Sequence, residues 1–126
     1  FNDTATTEIY TILFAAASDV YKRQVDAFIQ DHYTERITTK MLAQEFGLVP
    51  SYLSRLFREY KGVTPNHYIQ NIRIERSKEM LLNCPTVMTK DIALMVGYVD
   101  ASYFFKVFKK NTGLSPSEYR MNELSK

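Results

Sequence analysis

The sequence contains few of the residues that build covalent, metal or cofactor sites. It has one cysteine, Cys84, and two histidines, His32 and His67. A single cysteine cannot form an intramolecular disulfide, and these three side chains do not have the spacing of a zinc site. No Gly-rich phosphate loop is present. We therefore expect no enzyme, no cofactor and no metal, because a rival enzymatic interpretation rests on these three side chains alone.

Other absences restrict the class of protein. Four Gly and four Pro in 126 residues are too few for a linker-rich or disordered chain. No apolar run approaches the roughly 20 residues that cross a bilayer, and no signal peptide is visible. We expect a cytoplasmic protein without a membrane partner. Since the chain begins at Phe1 and not at Met, we also expect it to be a piece of a longer protein.

Charge is distributed unevenly along the chain. Residues 1–20 hold three of the 14 acidic side chains and none of the 16 basic ones. The remaining residues therefore carry an excess of five positive charges, although the formal net charge of the whole chain is only +2. This excess is a modest indication of a polyanionic partner.

One pattern occurs twice in the sequence. Residues 39–65 and 89–116 each contain a short apolar helix pattern, a Gly, a second helix pattern and a closing Gly-x-Thr/Ser-Pro. A helix, a Gly-containing turn and a second helix form the signature of a helix-turn-helix. The sequence therefore predicts an all-α fold with two helix-turn-helix subdomains.

The second helix of each copy has one apolar face and one opposite face. The inward stripes consist of Leu53, Leu56, Phe57 and Tyr60, and of Phe104, Val107 and Phe108 with the polar Asn111 at the last position. The opposite faces consist of Ser51, Ser54, Arg55 and Arg58, and of Ser102, Phe105, Lys106 and Lys109. Both sets repeat at i, i+3, i+4 and i+7, so each lies on one side of a helix. The first opposite face has no acidic or apolar side chain, which favours DNA binding over an ordinary solvated face.

Particular segments resemble a known family over roughly residues 21–120. They are SYLSRLF (51–57), IRIERSK (72–78), DIA (91–93), VGY (96–98), SYF (102–104) and GLSPSEYR (113–120). In these segments the chain resembles the C-terminal DNA-binding domain of AraC/XylS-type bacterial transcription regulators. The resemblance implies two helix-turn-helix subdomains on a long linker helix. It also implies sequence-specific binding of double-stranded DNA and contact with RNA polymerase in activation.

The resemblance implies base contacts at eight positions of the two recognition helices. These are Ser51, Tyr52, Ser54, Arg55, Ala101, Ser102, Phe105 and Lys106. Arg55 has the clearest chemistry, because an arginine can donate two hydrogen bonds to O6 and N7 of guanine. Phe105 has two interpretations: it packs on a neighbouring side chain, or it contacts a thymine methyl group.

A second set of residues is expected to contact DNA phosphates. It consists of Thr38, Arg58, Thr64, Arg73, Arg76, Thr89, Lys90, Lys109, Ser115 and Ser117. The hydroxyl residues lie near helix starts, where backbone N–H groups favour phosphate oxygen. Each is also explained as a helix cap alone, and Arg73 and Arg76 could instead pair with nearby glutamates.

We divide the chain into four segments. Residues 1–20 are a linker or the last helix of a missing effector or dimerisation domain, and their apolar stripe of Ile9, Ile12, Leu13 and Ala16 packs either on that domain or on the rest of this one. Residues 21–63 and 84–126 are the two helix-turn-helix subdomains. Residues 64–83 are the linker helix, about 30 Å long at 1.5 Å per residue. An effector would act only through the missing domain, and a homodimer would form through the N-terminal region.

The predicted helices of the N-terminal third cover residues 7–18 and 21–33. The length of the linker helix is close to the roughly 34 Å of one duplex turn, so we expect the two recognition helices to read successive major-groove segments.

An alternative function is that of a helical module that binds an acidic protein partner. Steep salt dependence together with preference for one DNA sequence would separate the two interpretations.

Overall fold

A computed structural model describes the backbone of residues 3–126 and the side chains of residues 8, 9 and 16–126. Within these residues the chain forms seven helices and no strand, which confirms the predicted all-α fold class. The helices are α1 (Asp3–His32), α2 (Thr39–Glu45), α3 (Pro50–Lys61), α4 (Pro65–Asn83), α5 (Thr89–Met95), α6 (Ala101–Thr112) and α7 (Pro116–Leu124). None of the helices in this part of the chain combines the length and the apolarity needed to cross a membrane.

The prediction of two separate N-terminal helices is wrong, because α1 is one helix of 30 residues. No Gly or Pro occurs between Thr7 and His32, so no residue there disfavours helix continuation. Of the predicted apolar stripe, Ile9 is exposed, and the side chains of Ile12 and Leu13 lie outside the described residues. The predicted boundary after residue 20 lies inside α1 and stays a prediction.

The chain divides into two compact units. Unit one comprises the described residues up to Asp31 together with Ile37–Tyr68, and unit two comprises His32–Arg36 together with Ile69–Lys126. The helix-turn-helix of unit one is formed by α2 and α3, which pack on each other. The helix-turn-helix of unit two is formed by α5 and α6, with α7 packed on α6.

Unit one buries one face of each of its first three helices. The buried apolar side chains are Val25, Ile29, Leu42, Ala43, Leu53, Leu56 and Phe57. The rings of Phe28 and Phe46 meet edge to face with centroids 5.7 Å apart. Tyr60, which the apolar stripe of α3 predicts to point inward, is 37% exposed, so that part of the prediction is wrong.

Unit two has a core that includes the apolar face of its recognition helix. The core consists of Ile74, Leu81, Ile92, Ala93, Val96, Tyr98, Phe104, Val107 and Phe108. Arg120 in α7 closes the end of α4, since its Nε donates to the carbonyl of Leu81 at 2.9 Å and its second guanidinium nitrogen donates to that of Cys84 at 3.1 Å. The last carbonyls of a helix have no N–H partner within the helix, so the guanidinium of this arginine supplies hydrogen bonds that a further helical turn would otherwise donate.

Candidate nucleic-acid interface

Helix α3 presents a polar and positively charged face to solvent. Its apolar side is buried, whereas Ser51, Arg55 and Arg58 are exposed and Ser54 is half-buried. The helix begins after Val49, which makes no side-chain cap, and ends at Gly62, whose N–H donates to the carbonyl of Arg58 at 2.8 Å. A short hydroxyl near the start and long cationic side chains further along are the donors that a major-groove helix needs.

Tyr52 lies at the edge of that face and has a defined partner on α1. Its hydroxyl is 3.2 Å from Oγ of Ser18, and the guanidinium of Arg55 lies 5.6 Å from the centroid of its ring. A guanidinium over an aromatic face is attracted to the ring electrons. Tyr52 is therefore half-buried between α1 and Arg55, with its edge near the outward face.

Helix α6 has a different outward surface. Asp100 caps it, since its Oδ1 accepts from the N–H of Ser102 at 2.9 Å. Ser102 and Lys106 are exposed, but Ala101 and Phe105 are half-buried and pack against the core of unit two. The ring of Phe105 lies 5.9 Å from that of Phe104, so the packing interpretation of Phe105 has a visible partner.

Three of the hydroxyl residues expected at phosphates are helix caps. Oγ1 of Thr38 accepts from the N–H of Met41 at 3.1 Å, and Oγ1 of Thr64 accepts from that of His67 at 3.3 Å. Ser115 forms a complete capping box with the third residue of its helix. Ser117 and Thr89 are not N-caps, because Ser117 is the second residue of α7 and Thr89 is the first residue of α5.

Among the basic side chains expected at phosphates, Arg58, Lys90 and Lys109 are exposed. Arg76 pairs with Glu79 at 3.3 Å on the surface of α4, which is one of the alternatives that the sequence left open. Exposed ion pairs of this kind contribute little and exchange readily.

Arg73 makes contacts that the sequence did not indicate. Its Nε donates to the carbonyl of Tyr33 at 2.7 Å and a terminal nitrogen donates to that of Glu35 at 2.8 Å, while its guanidinium lies 5.3 Å from the ring centroid of Tyr98. Burial lowers the pKa of Arg73 and raises that of Tyr98 to about 12. These donors hold the loop after α1, so the expected phosphate contact would have to use the N–H groups of Arg73 that do not bond to these carbonyls.

Asp26 forms a second long-range cluster that sequence reasoning missed. Its carboxylate accepts from the hydroxyl of Tyr68 at 2.6 Å and pairs with Nζ of Lys61 at 3.0 Å. Burial by itself raises the pKa of Asp26, but the hydrogen bonds from Tyr68 and Lys61 outweigh it, and the pKa lies below its ordinary value. The sequence contains only a weak signal for this cluster, which is that Asp26 directly follows Val25, a residue of the buried stripe of α1.

The three side chains on which an enzymatic interpretation depends have ordinary surroundings. Nδ1 of His32 pairs with Glu35 one turn on, His67 is exposed in the first turn of α4, and Cys84 is a free, half-buried residue just after α4. In the part of the chain that the structure describes, no group of three or more His, Cys, Asp or Glu could hold a metal ion.

Two helix-turn-helix units, each with an exposed face on its second helix, define the class of helix-turn-helix proteins. A family described as "helix-turn-helix domain" matches residues 42–122. The chain belongs to this family, which is of the AraC/XylS type, so the predicted resemblance is confirmed.

Relatives and solved structures are consistent with that membership. The HTH-type transcriptional regulator YijO of Escherichia coli K12, itself uncharacterised, is 35% identical over 106 residues, which are 84% of this chain and 37% of YijO. The bifunctional transcriptional activator and DNA repair enzyme AdaA of Bacillus subtilis 168 is 34% identical over 96 residues, which are 76% of this chain and 45% of AdaA. The chain thus spans less than half the length of these curated relatives.

A solved structure has the same fold. It is the C-terminal domain of AraT, a response regulator from Geobacillus stearothermophilus, with a TM-score of 0.78 and 33% identity. The similarity covers 81% of this chain and 84% of that domain.

Proposed function

We propose that this chain is the DNA-binding output domain of a bacterial transcription regulator and reads duplex DNA with α3 and α6. The observation that carries the proposal is the outward face of α3, which exposes Ser51, Arg55 and Arg58 without an acidic side chain. Family membership supports it, because the named relatives are transcription regulators.

The two recognition helices are expected to contribute unequally. Arg55 offers two parallel donors for a guanine, with Ser51 beside it on the same face. On α6 the corresponding exposed groups are Ser102 and Lys106, and the half-buried Phe105 leaves only part of its ring for a thymine methyl group. The first unit therefore supplies most of the base discrimination, and the second supplies relatively more phosphate contact.

Phosphate contacts position the protein and carry no sequence information directly. The exposed cations Arg58, Lys90 and Lys109 are the side chains best placed for this role, since none of them belongs to an ion pair of 4.0 Å or less among the described residues. The capping hydroxyls of Thr38, Thr64 and Ser115 lie at helix starts, where N–H groups also favour phosphate oxygen.

The remaining expectations concern the full-length regulator. Contact with RNA polymerase during activation, an effector that acts through a separate domain, a homodimer formed through the N-terminal region and a cytoplasmic location belong to the proposal. The chain covers only 37% of YijO and 45% of AdaA, so these properties of a whole regulator are part of the proposal and are not taken from the relatives.

The test is selection of binding sites from a random duplex pool at about 0.15 M salt. We expect one enriched sequence, with an affinity that falls linearly on a log–log plot as salt rises. Enrichment without a preferred sequence contradicts specific readout. Binding to an acidic protein but not to duplex DNA supports the alternative of a protein-interaction module.

A further inference from the structure

The contact between Ser18 and Tyr52 joins α1 to the start of the recognition helix. The two oxygens are 3.2 Å apart, although the residues are 34 positions apart in sequence. Ser18 is only 9% exposed, and it lies seven residues before Val25 and eleven before Ile29, which are both fully buried. These spacings put Ser18 on the same face of α1 as the buried stripe. The contact therefore lies on the buried side of α1 and joins it to α3.

Tyr52 also supports the side chain expected to read a base. The guanidinium of Arg55 lies over its ring, 5.6 Å from the centroid. An unrestrained arginine has many rotamers, and freezing them on binding costs free energy. A ring that is held at its hydroxyl end gives Arg55 a fixed surface to lie on, so fewer rotamers remain to be lost when it meets DNA.

We propose that Ser18 is a positioning residue for DNA recognition, which acts through Tyr52 on Arg55. This inference rests on the proposed function, because it assigns to α1 a part in base discrimination by α3. Ser18 precedes residue 42, where the helix-turn-helix family match begins. The sequence preference of this chain therefore depends on a residue outside the matched domain, near the middle of α1.

The experiment measures base discrimination at one position. The base pair read by Arg55 is first identified as the position whose preference relaxes in Arg55→Ala. Discrimination is then the ratio of affinities for the selected site and for the same site changed at that base pair. We expect Ser18→Ala to lower this ratio about two- to tenfold, as the loss of one neutral hydrogen bond implies, and to leave affinity for unrelated duplex DNA unchanged.

Two further variants test the route through Tyr52. Tyr52→Phe removes the hydroxyl and keeps the ring, so at the Arg55 base pair it should lower discrimination by the same factor as Ser18→Ala, whereas loss of the base contact expected of Tyr52 itself would lower it at another base pair. The double variant should be no worse than either single one, because both remove the same hydrogen bond. Ser18→Thr keeps a hydroxyl on a helix position and should restore most of the discrimination.

A matched control separates positioning from stability. Tyr68→Phe removes another tyrosine hydroxyl that bonds to α1, the contact with Asp26 at 2.6 Å. It should lower the urea midpoint of unfolding at least as much as Ser18→Ala does, without changing discrimination at the Arg55 base pair.

The outcomes distinguish this inference from the proposed function. If the unmodified chain has no preferred sequence, the proposed function fails, and the inference fails with it. If the unmodified chain has a preferred sequence but Ser18→Ala and Tyr52→Phe leave the ratio unchanged, only the inference is overturned. Equal losses of discrimination in Ser18→Ala and Tyr68→Phe also overturn it, because the effect is then one of stability.

Discussion

Two arginines of this chain have different roles because their surroundings differ. Arg55 is exposed, with its guanidinium over the ring of Tyr52. Arg73 is half-buried and donates to two backbone carbonyls in the loop after α1. An exposed guanidinium keeps its donors for a ligand, whereas a buried one must satisfy its donors inside the protein. At the scale of single residues, exposure separates the expected base reader from the structural arginine.

Arg55→Ala tests that separation on the DNA side. We expect a loss of about 1–3 kcal/mol at the cognate site and a relaxed preference at one base pair, because a bidentate contact is removed. Lys109→Ala should instead weaken all sequences alike and reduce the salt slope by about 1. Affinities on a panel of single-base variants at several salt concentrations measure both effects. Unchanged sequence preference in Arg55→Ala removes Arg55 from base readout.

Gly97 is a position that only glycine fits. Its φ is +108°, and an added Cβ would lie 2.9 Å from the carbonyl oxygens of Tyr33 and Thr34 and 3.0 Å from Nε of Arg73. Gly97→Ala should lower the free energy of unfolding by about 2–4 kcal/mol, since it combines backbone strain with overpacking.

Gly62→Ala is the control for that substitution. Its φ is +77°, but an added Cβ would meet no atom within 4 Å, so only the left-handed backbone cost of about 1–2 kcal/mol applies. Urea unfolding compares the two variants. Equal losses would mean that the loop carrying Tyr33 and Thr34 moves away from Gly97 at little cost.

Helix starts differ in quality at the scale of elements. Helix α7 begins with a capping box, in which Oγ of Ser115 accepts from the N–H of Glu118 and the N–H of Ser115 donates to the Glu118 carboxylate. Hydrogen bonds with the side chain and the backbone of Ser115 lower the pKa of Glu118. Helices α2 and α6 begin with the side-chain caps of Thr38 and Asp100. Helix α3, which carries Arg55, begins at Val49 with no side-chain cap. The first turn of the expected base-reading helix thus has N–H groups that no N-cap side chain accepts from, and a hydroxyl at position 49 could provide the acceptor.

Val49→Ser should stabilise the protein by about 0.5–2 kcal/mol, because a serine side chain can accept from the first turn of α3. Val49 is 64% exposed, so the substitution removes little buried surface. Val49→Ala is the control without an acceptor and should give no gain. Thermal or urea unfolding measures the difference, and equal stability of the two variants would mean that solvent already satisfies this helix start.

The Asp26 cluster ties three helices together within unit one, α1 through Asp26, α3 through Lys61 and α4 through Tyr68. Asp26→Asn should lower the free energy of unfolding by about 1–3 kcal/mol near pH 7, because the charged hydrogen bonds are lost. The pKa of Asp26 is lowered below 3.8 in the folded state. Its stabilisation is therefore present above that ordinary value and is lost as the pH falls through the folded pKa.

The measurement is urea unfolding of both proteins from neutral pH into the acid range. The difference between them should shrink as the folded pKa of Asp26 is passed. Asp19→Asn is a suitable control, because Asp19 is 69% exposed and its pair with Lys22 is 3.6 Å long. This control should change stability little at any pH. A constant difference between wild type and Asp26→Asn at all pH values contradicts the assigned charge.

The whole molecule contains one helix-turn-helix in each unit, and the two recognition helices differ in their expected binding faces. Helix α4 begins in unit one and ends in unit two without interruption from Pro65 to Asn83. As a helix of 19 residues it is about 28 Å long. One chain therefore contains both recognition helices, and the expected DNA site is one asymmetric stretch of about two turns bound by a monomer.

Insertions into the selected DNA site test this expectation. Half a turn of duplex between the two halves should weaken binding strongly, because it turns one half to the opposite face of the DNA. Bending the duplex to compensate costs several kcal/mol, on the order of 1–6. A full-turn insertion is the matched control for added length, since it restores the face but not the separation. Equal affinity for the intact and half-turn sites would mean that only one unit binds DNA.

Much of this protein could be predicted from local sequence patterns. The two helix-turn-helix copies, the outward face of α3, the cap at Asp100 and the box at Ser115 depend on residues within one or two helical turns of each other. Periodicity and capping chemistry act over those distances, so a single sequence contains the signal. The base- and phosphate-contacting roles stay predictions.

Tertiary packing decided the contacts between residues distant in sequence. Ser18 meets Tyr52, Asp26 meets Tyr68 and Arg73 meets Tyr33 across separations of 34, 42 and 40 residues. A polar residue on a helix face has no periodic signal that names its partner on another helix. Arg73, which is expected at a phosphate, donates to two backbone carbonyls. Ser18, in the segment expected to be a linker or the last helix of a missing domain, contacts the recognition helix, and α1 continues through residue 20.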